Sequence, residues 1–216
     1  FKKIVSGWVK NPDKIYVIYN GIELIKYQEL ARTKDKIIFS VGRLAPWKGF
    51  DGLIDALVVL RQEFSFLKLL IIGDGHDKRR LETLRDKHSL SNAVIFVGRV
   101  PLDKIFEYYQ TADVFVLNSQ YEGLSHVLLE VLSLGKPIVA SNCGGNLEVI
   151  ENEKNGLLVE YNNCEQIEMA IRNVLSEPYW QSSVFQDACK QGLKKFVWHD
   201  VVAQTINVLK EINQHG

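Results

Sequence analysis

The 216-residue chain carries 26 Lys and Arg against 26 Asp and Glu, so its formal net charge is zero. That balance argues against a dedicated nucleic-acid binder, whose phosphate contacts need a clear excess of cations. The 46% apolar and 24% charged residues exclude disordered, collagen-like and coiled-coil classes, and no apolar run reaches the roughly 18 residues that would suggest a bilayer span.

Short Val- and Ile-rich runs alternate with longer amphipathic stretches. Residues 36–41 (KIIFSV) read as a strand ending at Gly42, and a helix follows over 49–64, with Leu53, Ile54, Leu57 and Leu60 spaced by three and four. A strand over 67–72 stops at Gly73-Asp74-Gly75, before a charged helix over 77–88. The cycle repeats as strand 93–97, helix 102–111, strand 113–117 and helix 125–134, the last closed by Gly135-Lys136-Pro137. Strands over 138–141 and 156–159 follow, then helices over 165–175, 183–194 and 198–212. This alternation favours parallel pairing and right-handed crossovers, hence an α/β, doubly wound, Rossmann-like parallel sheet. Such sheets bind ligands at the carboxyl edge of their strands. Residues 1–216 read as one domain, its core over about 15–176 and its C-terminal helices over 177–213. Cys143, Cys164 and Cys189 are odd in number and share no short spacing, which points to a reducing compartment and to no cysteine metal site.

Two clusters carry chemistry. In Gly42-Arg43-Leu44-Ala45-Pro46-Trp47-Lys48-Gly49, two cations lie in a loop between a strand end and a helix start. Arg offers a planar fork and Lys a movable point charge, together suited to a diphosphate. The second is Glu122-Gly123-Leu124-Ser125-His126-Val127-Leu128-Leu129-Glu130. Ser125 is placed to cap the helix that follows, leaving the amides of Leu124, Ser125 and His126 as an anion site. Glu130 interrupts an apolar run. A carboxylate there is costly unless it meets hydrogen-bond donors, and a ribose diol supplies two.

These residues resemble the donor-binding C-terminal half of retaining glycosyltransferases of the GT-B fold, the large family four of that class. The likeness rests on motifs in order: Val41-Gly42-Arg43-Leu44 with Lys48-Gly49, Ile72-Gly73-Asp74-Gly75, Phe96-Val97-Gly98, and Ala112-Asp113-Val114-Phe115-Val116. The pair Glu122 and Glu130, with seven residues between, follows, then Ser141-Asn142-Cys143-Gly144-Gly145-Asn146 and Asn155-Gly156-Leu157-Leu158-Val159. It extends from residue 15 to residue 198.

The resemblance implies that Arg43, Lys48 and Glu122 are the catalytic group. Arg43 and Lys48 would hold the diphosphate of a nucleoside-diphosphate sugar, and Glu122 the hydroxyls of the transferred sugar. Glu130 would bind the ribose, while Gly42, Gly73, Leu124, Ser125 and His126 would complete the donor site and Arg99 and Val100 lie along the nucleobase. It implies no cofactor and no metal, fixed cations and helix dipoles meeting the developing charge. Two departures stand out: Leu124-Ser125 where many relatives carry Phe-Gly, and Tyr19 where many have Pro before Asn20-Gly21.

The family pairs two Rossmann-like halves, and the chain reads as the donor half alone. The expected partners are a nucleotide-sugar donor and, through an absent N-terminal acceptor domain, a glycan or lipid-linked acceptor. No nucleic-acid partner is expected. The expected activity is sugar transfer with retention in surface polysaccharide or glycoconjugate biosynthesis, with this part alone inactive. The expected location is cytoplasmic, with peripheral association at the inner face of the membrane. A non-catalytic sugar-nucleotide binding module and a GT-B nucleotide-sugar epimerase stay open as alternatives.

Overall fold

The computed structural model describes residues 5–9, 11–23 and 35–214. Six strands, β1 (Lys36–Val41), β2 (Leu67–Ile72), β3 (Val94–Gly98), β4 (Val114–Leu117), β5 (Ile138–Ser141) and β6 (Leu157–Val159), form one sheet in the order β3-β2-β1-β4-β5-β6. Every pairing is parallel. β4 and β5 are buried at every residue, as expected of central parallel strands covered on both faces. At the edge, Ile95 of β3 is 41% exposed.

In chain order, the α-helices include α1 (Phe50–Glu63), α2 (Lys78–Lys87), α3 (Leu102–Thr111), α4 (His126–Ser133), α5 (Asn146–Val149), α6 (Cys164–Ser176), α7 (Ser183–Leu193) and α8 (Trp198–Gln214). α1 packs on α6, and α4 on α7. The ridge predicted for α1 is real: Leu53, Ile54, Leu57 and Leu60 are all buried. Each such side chain contributes about 1.5–3 kcal/mol of burial. Asp113 fixes the register of the two central strands, accepting the Ile37 N–H at 2.8 Å and the Lys36 ammonium at 3.1 Å.

Several elements were not legible as helix. Pro46–Lys48 and Pro178–Gln181 are 3-10 turns, where Pro sets the first φ and supplies no donor to continue. α5 is a single turn following Gly144-Gly145, a stretch whose composition reads as loop.

The chain divides into two compact units. One runs from Ile25 to Leu193 and holds the whole sheet; the other combines Phe1–Leu24 with Lys194–Gly216. Within the second, Ile22 bridges Val197, its N–H bonds the Phe196 carbonyl at 2.8 Å, and Tyr19 meets the Phe196 ring edge-on. Among the described residues, no helix is long and apolar enough to cross a membrane.

Candidate functional site

The strand order reverses direction between β1 and β4. Connections leave these two neighbours toward opposite sides, opening a crevice at their carboxyl ends. The loops after them, 42–49 and 118–125, hold the first cluster singled out from sequence and the start of the second, which runs on into the following helix.

The first loop is held on all sides. The Gly42 N–H bonds Ile72 O at 3.0 Å, and the Leu44 N–H bonds Asp74 O at 3.1 Å. Gly49 turns the chain into α1 with φ +57°, and a Cβ there would collide with Asn118. Asn118 uses that space: its Nδ2 donates to Gly49 O at 2.7 Å, and its Oδ1 accepts the Asn162 N–H at 2.9 Å. Asn162 Oδ1 in turn accepts the Gly52 N–H at 3.0 Å, satisfying an open donor at the start of α1. The two loops also join directly, the Gln120 N–H donating to Trp47 O at 2.8 Å while the rings of Trp47 and Tyr121 stack at 6.2 Å.

Lys48 and Glu122 meet across this crevice, Nζ to Oε1 at 2.5 Å, with side chains only 19% and 14% exposed. The Lys48 stem lies over Gly42, where a Cβ would be 3.7 Å from Cδ. Behind Glu122, the Gly145 N–H donates to its carbonyl at 3.1 Å, and a Cβ on Gly144 would strike that same oxygen. Arg43, Gly42, Gly73, Arg99 and Val100 line a shallow open groove of about 320 Å³ over the ends of β1, β2 and β3. Arg43 is exposed there. Arg99 lies 3.4 Å from Asp74 but is 84% exposed, so that ion pair carries little energy.

Ser125 occupies the N-cap position of α4, yet its hydroxyl makes no capping bond, contrary to the capping role read from sequence. The helix begins at His126, so the open first-turn donors are the amides of His126, Val127 and Leu128, with Leu124 and Ser125 in the loop before. Glu130 lies one turn further along. Its Oε2 accepts the Tyr109 hydroxyl at 3.0 Å. Burial pushes the Glu130 carboxyl above its usual range, opposed by the Tyr109 hydrogen bond and the His126 charge. Burial and the Glu130 charge together push the Tyr109 phenol far up, so it stays a donor.

The family model for glycosyl transferases group 1 matches residues 21–192. The chain belongs to the group 1 glycosyltransferases. An uncharacterised glycosyltransferase of Methanocaldococcus jannaschii is 34% identical over 212 residues, covering 92% of this chain and 54% of that protein. A glycogen synthase of Mycobacterium tuberculosis is 31% identical over 198 residues, covering 90% of this chain and 48% of its own length. Anabaena HepE, solved with UDP-glucose, superposes with a TM-score of 0.80 at 22% identity, covering 99% of this chain and 61% of that one. The likeness to HepE is one of fold, and the sheet is the Rossmann-like α/β architecture of GT-B glycosyltransferases. This glycosyltransferase chain spans about half the length of the curated relatives it matches.

The structure gathers Lys48 and Glu122 in one contact and places Arg43 with Gly42, Gly73, Arg99 and Val100 along one groove. Glu130 stands on the helix that starts beside them. Three contributors escaped the sequence reading: Asn118, Asn162 and Tyr109. The one signal for Tyr109 was its place four residues after Ile105 on the buried face of an amphipathic helix, where a phenol requires a partner.

Proposed function

We propose that this chain is the donor-binding half of a retaining glycosyltransferase that takes its sugar from a nucleoside diphosphate. The observation that carries the reading is the Lys48–Glu122 contact at the β1/β4 crevice, beside the open amides of α4. An ammonium has three donors, so Lys48 can hold Glu122 and still reach phosphate oxygens. Arg43, Lys48 and the first-turn amides of α4 then surround the diphosphate and meet the charge that grows on the leaving group. Glu122, held near the cations, accepts hydrogen bonds from sugar hydroxyls. Glu130 accepts from the ribose, and the groove by Arg99 and Val100 takes the base. Fixed cations and dipoles meet the charge without a metal ion. HepE was solved with UDP-glucose, which supports a nucleotide-sugar donor.

The relatives are about twice as long as this chain. On this reading a second half receives the acceptor, a glycan or lipid-linked acceptor of surface polysaccharide or glycoconjugate assembly. This half alone binds the donor and transfers nothing. The location that fits is cytoplasmic, at the inner face of the membrane. The test is sugar transfer by the protein that pairs this chain with its acceptor half. Arg43→Ala is expected to lower kcat/KM by roughly two orders of magnitude, about the loss on removing one charge-stabilising donor. Unchanged transfer would reject the reading.

A further inference from the structure

We infer that Tyr109 is a positioning residue for the ribose site: its hydroxyl locks the Glu130 carboxylate in one rotation, leaving Oε1 to receive the ribose diol. This rests on the reading of Glu130 as the ribose ligand.

Three observations carry it. Tyr109 is 1% exposed, so its hydroxyl needs a protein partner, and Glu130 Oε2 at 3.0 Å is that partner. The ring is fixed on every side, meeting Phe39, Phe106 and Phe115 edge-on at 5.4, 5.4 and 6.3 Å. A donor this rigid sets the direction of a flexible carboxylate. Among the described residues no other side chain donates to either carboxylate oxygen of Glu130. A Glu side chain otherwise spends entropy on binding to hold one rotamer; here the protein has done so before the ligand arrives. The geometry therefore predicts that the phenol contributes to selectivity for ribose over deoxyribose without touching the nucleotide.

Tyr109→Phe keeps the ring packing and removes only the hydroxyl. The measurement is calorimetric titration of wild type, Tyr109→Phe and Glu130→Gln with UDP, GDP and ADP, then with the 2′- and 3′-deoxy forms of the tightest binder. Wild type is expected to prefer the ribonucleotide. In Tyr109→Phe that preference falls about 10- to 150-fold, the fold-change of one hydrogen bond to a charged group, while deoxynucleotide affinity stays put. Among the described residues, the groups acting on Glu130 are Tyr109 from α3 and His126 from its own helix. Losing the Tyr109 donor removes support for the ionised carboxylate, so the acid limb of the binding profile moves to higher pH in Tyr109→Phe. A purely structural phenol would change both affinities together and leave the pH limb in place, which overturns the inference. A wild type blind to the ribose hydroxyls, or one that binds no diphosphate, overturns the ribose assignment beneath it instead.

Discussion

Lys48→Ala is expected to weaken nucleoside-diphosphate binding by about 30- to 150-fold, the equivalent of roughly 2–3 kcal/mol for a charge-assisted hydrogen bond in a partly desolvated site. The loss has two parts. The ammonium that would face the phosphates is gone, and Glu122, whose side chain is 14% exposed, is left as an uncompensated negative charge beside them. Glu122→Gln separates the two, because it removes the carboxylate charge and keeps Lys48. With a bare diphosphate, which has no sugar for Glu122 to grip, Glu122→Gln should bind as well as wild type or better. With the complete nucleotide sugar it should bind worse. Titration of both variants with both ligands checks this. Equal losses in Lys48→Ala and Glu122→Gln against the bare diphosphate would mean that the pair acts only as a structural strut.

The second large effect is on stability. Gly73 sits at φ +137°, and a Cβ there would overlap the carbonyl oxygen of Gly42. Its own N–H meanwhile donates to Gly98 O at 2.8 Å, so the turn cannot shift without breaking the join between the ends of β2 and β3. Gly73→Ala combines backbone strain with overpacking against backbone, an expected cost of about 3–5 kcal/mol. Gly98 supplies an internal comparison. Its φ is +84° but nothing lies within 4 Å of its Cβ position, so Gly98→Ala carries the conformational cost alone, about 1–2 kcal/mol. Gly123 has open space and no such φ, and Gly123→Ala should be near neutral. Urea midpoints for the three variants should fall in that order. A Gly73→Ala midpoint as high as that of Gly123→Ala would show that the β1 and β2 loops are not held as described.

Much of the fold lay open in the sequence because strand and helix differ in period. The ends of β1, β2 and β5 coincide with the stretches read from Val and Ile runs, since Gly42, Gly73 and Gly135-Lys136-Pro137 punctuate them. The residues of the candidate site were legible for a related reason: a loop at the carboxyl end of a parallel strand is where charge and glycine have a ligand to serve. Their partners were not. Lys48 and Glu122 were each assigned to a ligand from their own motif, and 74 residues separate them. Only the pairing of β1 with β4 brings their loops together. Asn118 reaches Gly49 across 69 residues for the same reason. Ser125 shows the converse. Its position before a helix is the usual place for a cap, but the hydroxyl is not turned to the helix amides, and the open donors belong to His126, Val127 and Leu128. Side-chain rotation at a helix start is settled by the loop that leads into it, here the segment packed on Gly144 and Gly145, and the local sequence does not record it.

The central claim is that the crevice between β1 and β4 binds a nucleoside diphosphate through Glu130 at the ribose. Calorimetric titration of this chain with UDP, GDP and ADP, repeated on Glu130→Ala, tests it most directly. One of the three diphosphates should bind, naming the base, and Glu130→Ala should weaken it by about 10-fold or more, as for lost hydrogen bonds to a carboxylate. Binding of a diphosphate with undiminished affinity in Glu130→Ala, or equal binding of all three to both proteins, would contradict it.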